Sequence, residues 1–258
     1  MRHVFFTMGT AVSIELPGVD SAVRPLAELE SIFDEVDRRF SLYRSDSELS
    51  AIASGALALT AASPELRRSY AEALLWRNET GGAFTPHRPD GIIDLNGIVK
   101  AEAVERAGAA LDAEGFANWS LNAGGDVLSR GMQSQGVPWT LGIADPDNRL
   151  ALLCAVILND EHRAIATSGS AERGDHIWRK GSLEPTEFVQ VTVMANDIVT
   201  ADVLATAIVS GGGASLDEFT TRWPIDVLTV DRAANLRATR GFRLALASAP
   251  APASPLPA

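Results

Sequence analysis

The stretch "DIVTADVLATAIVSGGG", beginning at residue 197, sets Asp202 and Thr206 four positions apart among Val203, Leu204, Ala205, Ala207 and Ile208. Residues four apart share one face of a helix, so a carboxylate and a hydroxyl can aim their oxygens at a common point, an arrangement suited to a hard cation such as Mg²⁺. The same residues also fit a plain helix start, with Thr200 as N-cap and Asp202 as a first-turn acid. In "DLNGIVK", Asp94, Gly97 and Lys100 stand at a helix entrance, where free N–H groups meet phosphate. A helix cap followed by a solvated lysine accounts for that segment equally well. "IATSGSAERGDHIWR" gathers Thr167, Ser168, Gly169, Asp175 and His176, an acid and a histidine fit for proton transfer. Neighbours on a strand point to opposite faces, so their adjacency does not by itself pair them. "LNAGGDV" offers a glycine turn able to approach a ligand, or simply a tight turn. The dinucleotide fingerprint, the P-loop and the G-x-S-x-G elbow are all missing, which sets a Ser-His-Asp hydrolase behind the metal reading.

The elements that must position these groups alternate between helical and strand periods, which predicts a mixed α and β architecture. "HVFFTMGTAVSIEL" reads as a strand pair with a glycine kink. Leu26, Leu29, Ile32, Phe33, Val36 and Phe40 recur at helical spacing, with Pro25 tolerated in the first turn. The loop "FSLYRSDSELS" leads into a short helix, with Ser45 and Glu48 as a capping box. Further helices are expected from about Pro64 to Asn78, and over "IVKAEAVERAGAALDAEG" up to Gly115. Strand-like runs then dominate to residue 195. The helix carrying Asp202 is expected to stop at "GGG", ahead of "IDVLTVD" and a last strand near "FRLALA".

The chain has 258 residues, 46% hydrophobic and 21% charged, with a formal charge of −11. That balance fits a soluble globular protein and argues against nonspecific nucleic-acid or anionic-membrane binding, which needs surplus Lys and Arg. The single Cys154, in the apolar run "ALLCAVIL", excludes an intrachain disulfide and a cysteine-rich metal site, and reads as core packing. "MRHVFFTMGT" lacks the features of a secretory signal and no segment reads as a membrane span, so the expected location is cytoplasmic. One domain is expected over residues 1–247, followed by a Pro/Ala-rich tail over 248–258.

In order along the chain, "FTMGT", "FSLYRSDSELS", "GGAFTP", "IIDLNGIVKAEAVERA", "LNAGGDV", "WTLGIADP", "AIATSGSAER" with "DHIW", and "VTVMANDIVTADVLATA" resemble the FAD:protein FMN transferases of the ApbE type. The resemblance spans residues 6 to 211 and rests on the order of the motifs, not on any one of them. It implies an α+β, T-fold-like flavin transferase architecture with an FAD cleft between lobes. It further implies Mg²⁺-dependent cleavage of FAD, release of AMP, and transfer of FMN to a Ser or Thr hydroxyl of an acceptor protein carrying a flavinylation-type motif. By motif matching, Asp202 and Thr206 hold the metal, joined by a backbone carbonyl near Gly97. Met8, Tyr43, Ala83, Phe84, Thr85, Asp94 and Lys100 line the FAD site, and His176 accepts the proton of the incoming hydroxyl. Tyr43 and Phe84 suit flat rings, and Lys100 suits pyrophosphate.

The sequence also departs from the family pattern. Thr85 stands where Asp is common, Asn96 and Ala101 stand where Gly is usual, and "WRKGS" replaces the "DPxTG" continuation after His176. Two rivals therefore accompany the transferase reading: an FAD pyrophosphatase, in which water replaces the acceptor hydroxyl, and a flavin-binding protein with little turnover.

Overall fold

A computed structural model describes residues 1–169 and 186–247. The expected tail over residues 248–258 lies outside them. The chain opens with β1 (Arg2–Thr7) and β2 (Thr10–Glu15), an antiparallel hairpin closed by Met8 and Gly9, both at positive φ. A two-residue turn of that kind matches the right-handed twist of its strands. Next comes α1 (Val23–Phe40), whose apolar stripe of Leu26, Leu29, Phe33, Val36 and Phe40 is buried. Two helices follow, α2 (Glu48–Ala53) and α3 (Pro64–Glu79). The α2 cap is Ser47, which accepts from Ser50 N at 3.0 Å, and not the expected Ser45. Glu48 is instead engaged by Ser63, whose Oγ donates to it at 2.7 Å.

Helix α4 (Asn96–Ala113) leads into the hairpin of β3 (Trp119–Ala123) and β4 (Asp126–Arg130). Short strands β5 (Met132–Ser134) and β6 (Val137–Pro138) precede β7 (Thr140–Ala144) and β8 (Leu152–Ile157). Strands β9 (Ala164–Gly169) and β10 (Phe188–Ala195) lead to α5 (Ile198–Arg222). Finally come β11 (Asp226–Asp231), β12 (Leu236–Ala238) and α6 (Arg240–Leu244). The last strand expected near "FRLALA" is thus mostly the short helix α6, capped by Thr239 accepting from Phe242 N. Only Leu246 makes an isolated bridge there, to Val156.

Eight strands form one antiparallel sheet in the order β1-β2-β3-β4-β9-β10-β11-β12. The period-2 alternation sorts its side chains into two faces. Leu121, Leu128, Ala164, Ala166, Val193 and Val227 join the main core with α1, α4 and α5. On the other face, Val127, Ile165, Met194 and Leu228 pack with Trp139, Ile143 and Val156 of the β7–β8 region and with Phe242 of α6. The half-buried Cys154 packs against this second cluster, and burial pushes its thiol pKa up.

Helix α5 refines two expectations. Its first segment does break within "GGG", at Gly212 (φ 69°, ψ −155°), but a second helical segment that was not expected carries the chain on to Arg222. As a consequence, one helix among the described residues is long and apolar enough to cross a membrane, where none was expected. It passes that test by length and composition alone, and 67% of its most apolar window is buried within the fold. An apolar helix all round is what a central core helix requires.

Candidate functional site

The α5 N-terminus is capped by Asp197, whose carboxylate accepts from Thr200 N at 2.7 Å, so Thr200 is not the cap. Asp202 follows in the first turns and is 5% exposed, a carboxylate set deep among apolar neighbours. One turn on, the Thr206 hydroxyl lies 3.0 Å from the Ser168 hydroxyl of β9. Strand alternation sends Thr167 to the opposite face, where its hydroxyl meets Thr192 at 2.9 Å. The segment "ATSG" therefore divides its oxygens between two sides of the sheet.

Next to this pair runs a buried ionic link. Asp126, fully buried at the start of β4, pairs with Lys100 of α4 and accepts from the Thr167 backbone N–H at 3.3 Å. Lys100 is thus engaged within the fold and is not a surface cation. The turn before Asp126 is fixed by packing: a Cβ on Gly124, at φ +63°, would stand 2.5 Å from the Thr10 hydroxyl. This glycine serves the contact between the two hairpins.

At the N-terminus of α4, Asp94 accepts from Asn96 N at 2.9 Å and forms the turn that starts the helix. Gly97 sits over Phe84, whose Cε2 would lie 3.1 Å from an added Cβ. Phe84 is 3% exposed and belongs to the core, so it supports Gly97 from beneath and presents no open face for a ring. Thr85 accepts from His87 N at 3.2 Å, and Ala83 is partly buried beside Gly211. Tyr70 Oη lies 2.9 Å from His87 Nε2, and burial, then the Arg77 charge, hold the His87 pKa low.

A cavity of about 510 Å³ opens beside these elements, lined by Met8, Gly9, Asp37, Phe40, Ser41, Tyr43, Arg44 and Asn96. Tyr43 is 82% exposed at this cavity. Its loop is pinned: the Ser47 and Ser50 hydroxyls both donate to Ser41 O, and Arg44 pairs with Asp37 and Asp46. The structure thus brings Met8 and Tyr43 to one cavity with Asn96, the neighbour of Gly97. Ala83, Phe84, Thr85, Asp94 and Lys100 stand outside its lining, and His176 lies outside the described residues. Asp37 and Arg44 are lining residues that the sequence reading missed, since an acid in the last turn of α1 and a base in the loop after it carry no spacing signal.

For a metal, α5 offers the Asp202 carboxylate and, one turn on, the Thr206 hydroxyl beside that of Ser168, all oxygen donors. Among the described residues no group of three or more His, Cys, Asp or Glu is placed to hold an ion. The set matches Mg²⁺, which accepts one or two carboxylates and retains waters and phosphate oxygens, and it does not match Zn²⁺, which calls for N and S ligands.

Comparison with known proteins agrees with this architecture. The ApbE family model matches residues 8–88 and 85–228. The FAD:protein FMN transferase of Vibrio cholerae serotype O1 is 25% identical over an alignment of 267 residues, covering 80% of this chain and 80% of that protein. The FAD:protein FMN transferase of Salmonella typhimurium is 29% identical over 152 residues, covering 55% of this chain and 43% of that protein. The solved structure of the flavin transferase ApbE from Vibrio cholerae superposes at a TM-score of 0.76 and 24% identity, covering 95% of this chain and 99% of that one. That superposition establishes a shared fold of mixed helices and antiparallel sheet.

Proposed function

The chain belongs to the ApbE family, and from that membership we propose that it transfers FMN from FAD to a Ser or Thr hydroxyl of an acceptor protein, with Mg²⁺. The observation that carries this reading is the oxygen set of Asp202, Thr206 and Ser168, held where α5 meets β9, in a fold that also opens a cavity beside Met8 and Tyr43. When bound, Mg²⁺ supplies neutralisation of pyrophosphate charge and stabilisation of the leaving phosphate. Asp202 and Thr206 are the residues that would hold it.

The chain's own residues supply the rest. Tyr43, fixed on a pinned loop, offers a flat face for a ring, and Met8 adds a soft apolar contact at the same cavity. In the reaction, the acceptor oxygen bonds to the FMN phosphorus while the bond to the AMP oxygen breaks. The acceptor's proton goes to a base, for which His176 is the candidate on the resemblance alone. Positioning and charge neutralisation supply most of the rate in phosphoryl chemistry of this kind.

The test is incubation of the purified protein with FAD, Mg²⁺ and a fragment carrying a flavinylation-type Ser/Thr motif, followed by intact mass and nucleotide analysis. A fragment mass gain equal to FMN, with AMP released, is expected. AMP and free FMN without a mass gain would replace transfer by hydrolysis, and bound, uncleaved FAD would leave a binding protein.

A further inference from the structure

Strand β1 is an edge of the eight-stranded sheet, and its register with β2 decides which backbone groups are used. Met1 and Leu16 exchange backbone hydrogen bonds in both directions, and the register then makes His3–Ile14, Phe5–Val12 and Thr7–Thr10 the bonded pairs. In an antiparallel ladder the intervening residues direct their N–H and C=O groups away from the partner. The backbones of Arg2, Val4 and Phe6 therefore face outward, and none of them bonds to another backbone group among the described residues. The side chains of these three residues are also exposed, Val4 at 47% and Phe6 at 82%. An open edge carrying apolar side chains is an association hazard that proteins ordinarily block with charge, proline or a covering element.

The other face of the sheet offers a control. Over β4, β9, β10 and β11 that face is covered by the β7–β8 region and α6, whereas Phe6 is paired across the strands with the exposed Ala11. The strand also leads to the cavity that the transferase reading gives to FAD: Thr7 runs directly into Met8 and Gly9, which line it. A segment laid along β1 would be delivered at its end to the cavity rim.

We infer that the β1 edge docks an extended segment of the acceptor protein by strand addition, feeding its hydroxyl-bearing residue toward the cavity. This inference rests on the transferase reading above. Backbone pairing at an edge supplies affinity with little demand on sequence, and alternate side chains, here Val4 and Phe6, supply selectivity. A six-residue edge is small against the roughly 1,200–2,000 Å² that stable protein–protein interfaces bury, which suits a substrate that must leave after each turnover better than a permanent second copy.

The experiment is amide hydrogen exchange on the full chain with FAD and Mg²⁺, with and without the acceptor fragment, joined to kinetics of the V4K/F6K double variant. Slowed exchange at Arg2, Val4 and Phe6, with His3 and Phe5 unchanged, is the expected signature. The double variant is expected to raise KM for the fragment about tenfold while kcat and FAD affinity stay within about twofold. A flavinylated fragment with unprotected β1 amides and an unchanged KM would overturn the docking and leave the transferase reading intact. Protection of the same amides without flavin transfer would sink the transferase reading and, with it, the assignment of this edge to an acceptor, leaving only a peptide-binding edge. Protection that grows with protein concentration in the absence of fragment would assign the edge to a second copy and overturn the proposal, as would a fragment that neither protects β1 nor is modified.

Discussion

The oxygen cluster around Asp202 and the cavity rim around Tyr43 are built in opposite ways. Asp202, Thr206 and Ser168 sit where a core helix meets a central strand, and the neighbouring Lys100–Asp126 pair is buried. Met8 and Tyr43 sit on a two-residue turn and a short loop, held by serine hydroxyls and by Arg44 ion pairs at the surface. The difference separates two tasks. On the proposed reading, groups that present fixed charge to a metal stand on elements that cannot move, whereas groups that admit and release FAD stand where only a loop has to adjust.

If that division is right, the largest effect comes from Asp202→Ala. Loss of FAD cleavage by about a thousandfold, equal to about 4 kcal/mol in barrier, is expected with an unchanged far-UV spectrum and lowered bound metal. Retained activity with unchanged metal content would break the assignment of the buried region. Next, Lys100→Met should cost about 3 kcal/mol in urea unfolding, because it strands the buried Asp126 carboxylate. A near-neutral result would mean that the ionic link is dispensable to the rigid side of the comparison. At the rim, Tyr43→Ala should weaken FAD binding about tenfold, or about 1.4 kcal/mol, and leave the unfolding midpoint unmoved. A matching loss of stability would show that Tyr43 is structural after all.

The smallest effect concerns Glu102 on α4, a control that belongs to neither region. Burial raises its pKa most, with Glu72 and Glu105 adding to the rise, while the Ser69 hydroxyl at 2.7 Å and Arg106 oppose it. A raised folded pKa means that the native state holds the proton longer than the unfolded chain. The stability this contributes is full below the ordinary glutamate value of about 4.3 and is lost as pH rises through the raised one. Glu102→Gln should flatten the fall in stability over that window without changing FAD affinity. Identical pH profiles for the two proteins would remove the effect.

Much of the frame was legible because local rules and global packing agree. The α1 stripe from Leu26 to Phe40 buries as its spacing predicts, with Ile32 at its margin, and Met8–Gly9 turns the first hairpin. The placement of Asp202 and Thr206 one turn apart on an apolar helix was readable from their spacing. What escaped depends on long-range contact. Phe84 reads as a ligand aromatic until Gly97 is placed over it, and Lys100 as a phosphate-facing or solvated cation until β4 brings Asp126 beneath it. Ser45 fits a capping box with Glu48 in the sequence, but Glu48 is engaged by the distant Ser63 and Ser47 is the cap. A glycine triplet reads as a stop, yet a single kinked residue lets α5 resume.

That kink bears on how the chain is made. Up to Gly212 the uninterrupted part of α5 is about 14 residues, or about 21 Å at 1.5 Å per residue, against a hydrocarbon layer of about 30 Å. Every strand of the main sheet except β11 and β12 precedes α5 in the chain, so most of the surface that buries this apolar stretch is already synthesised when it emerges. Gly212, with Asp202 in the stretch before it, keeps the uninterrupted apolar run shorter than a hydrocarbon layer and marks it with a charge.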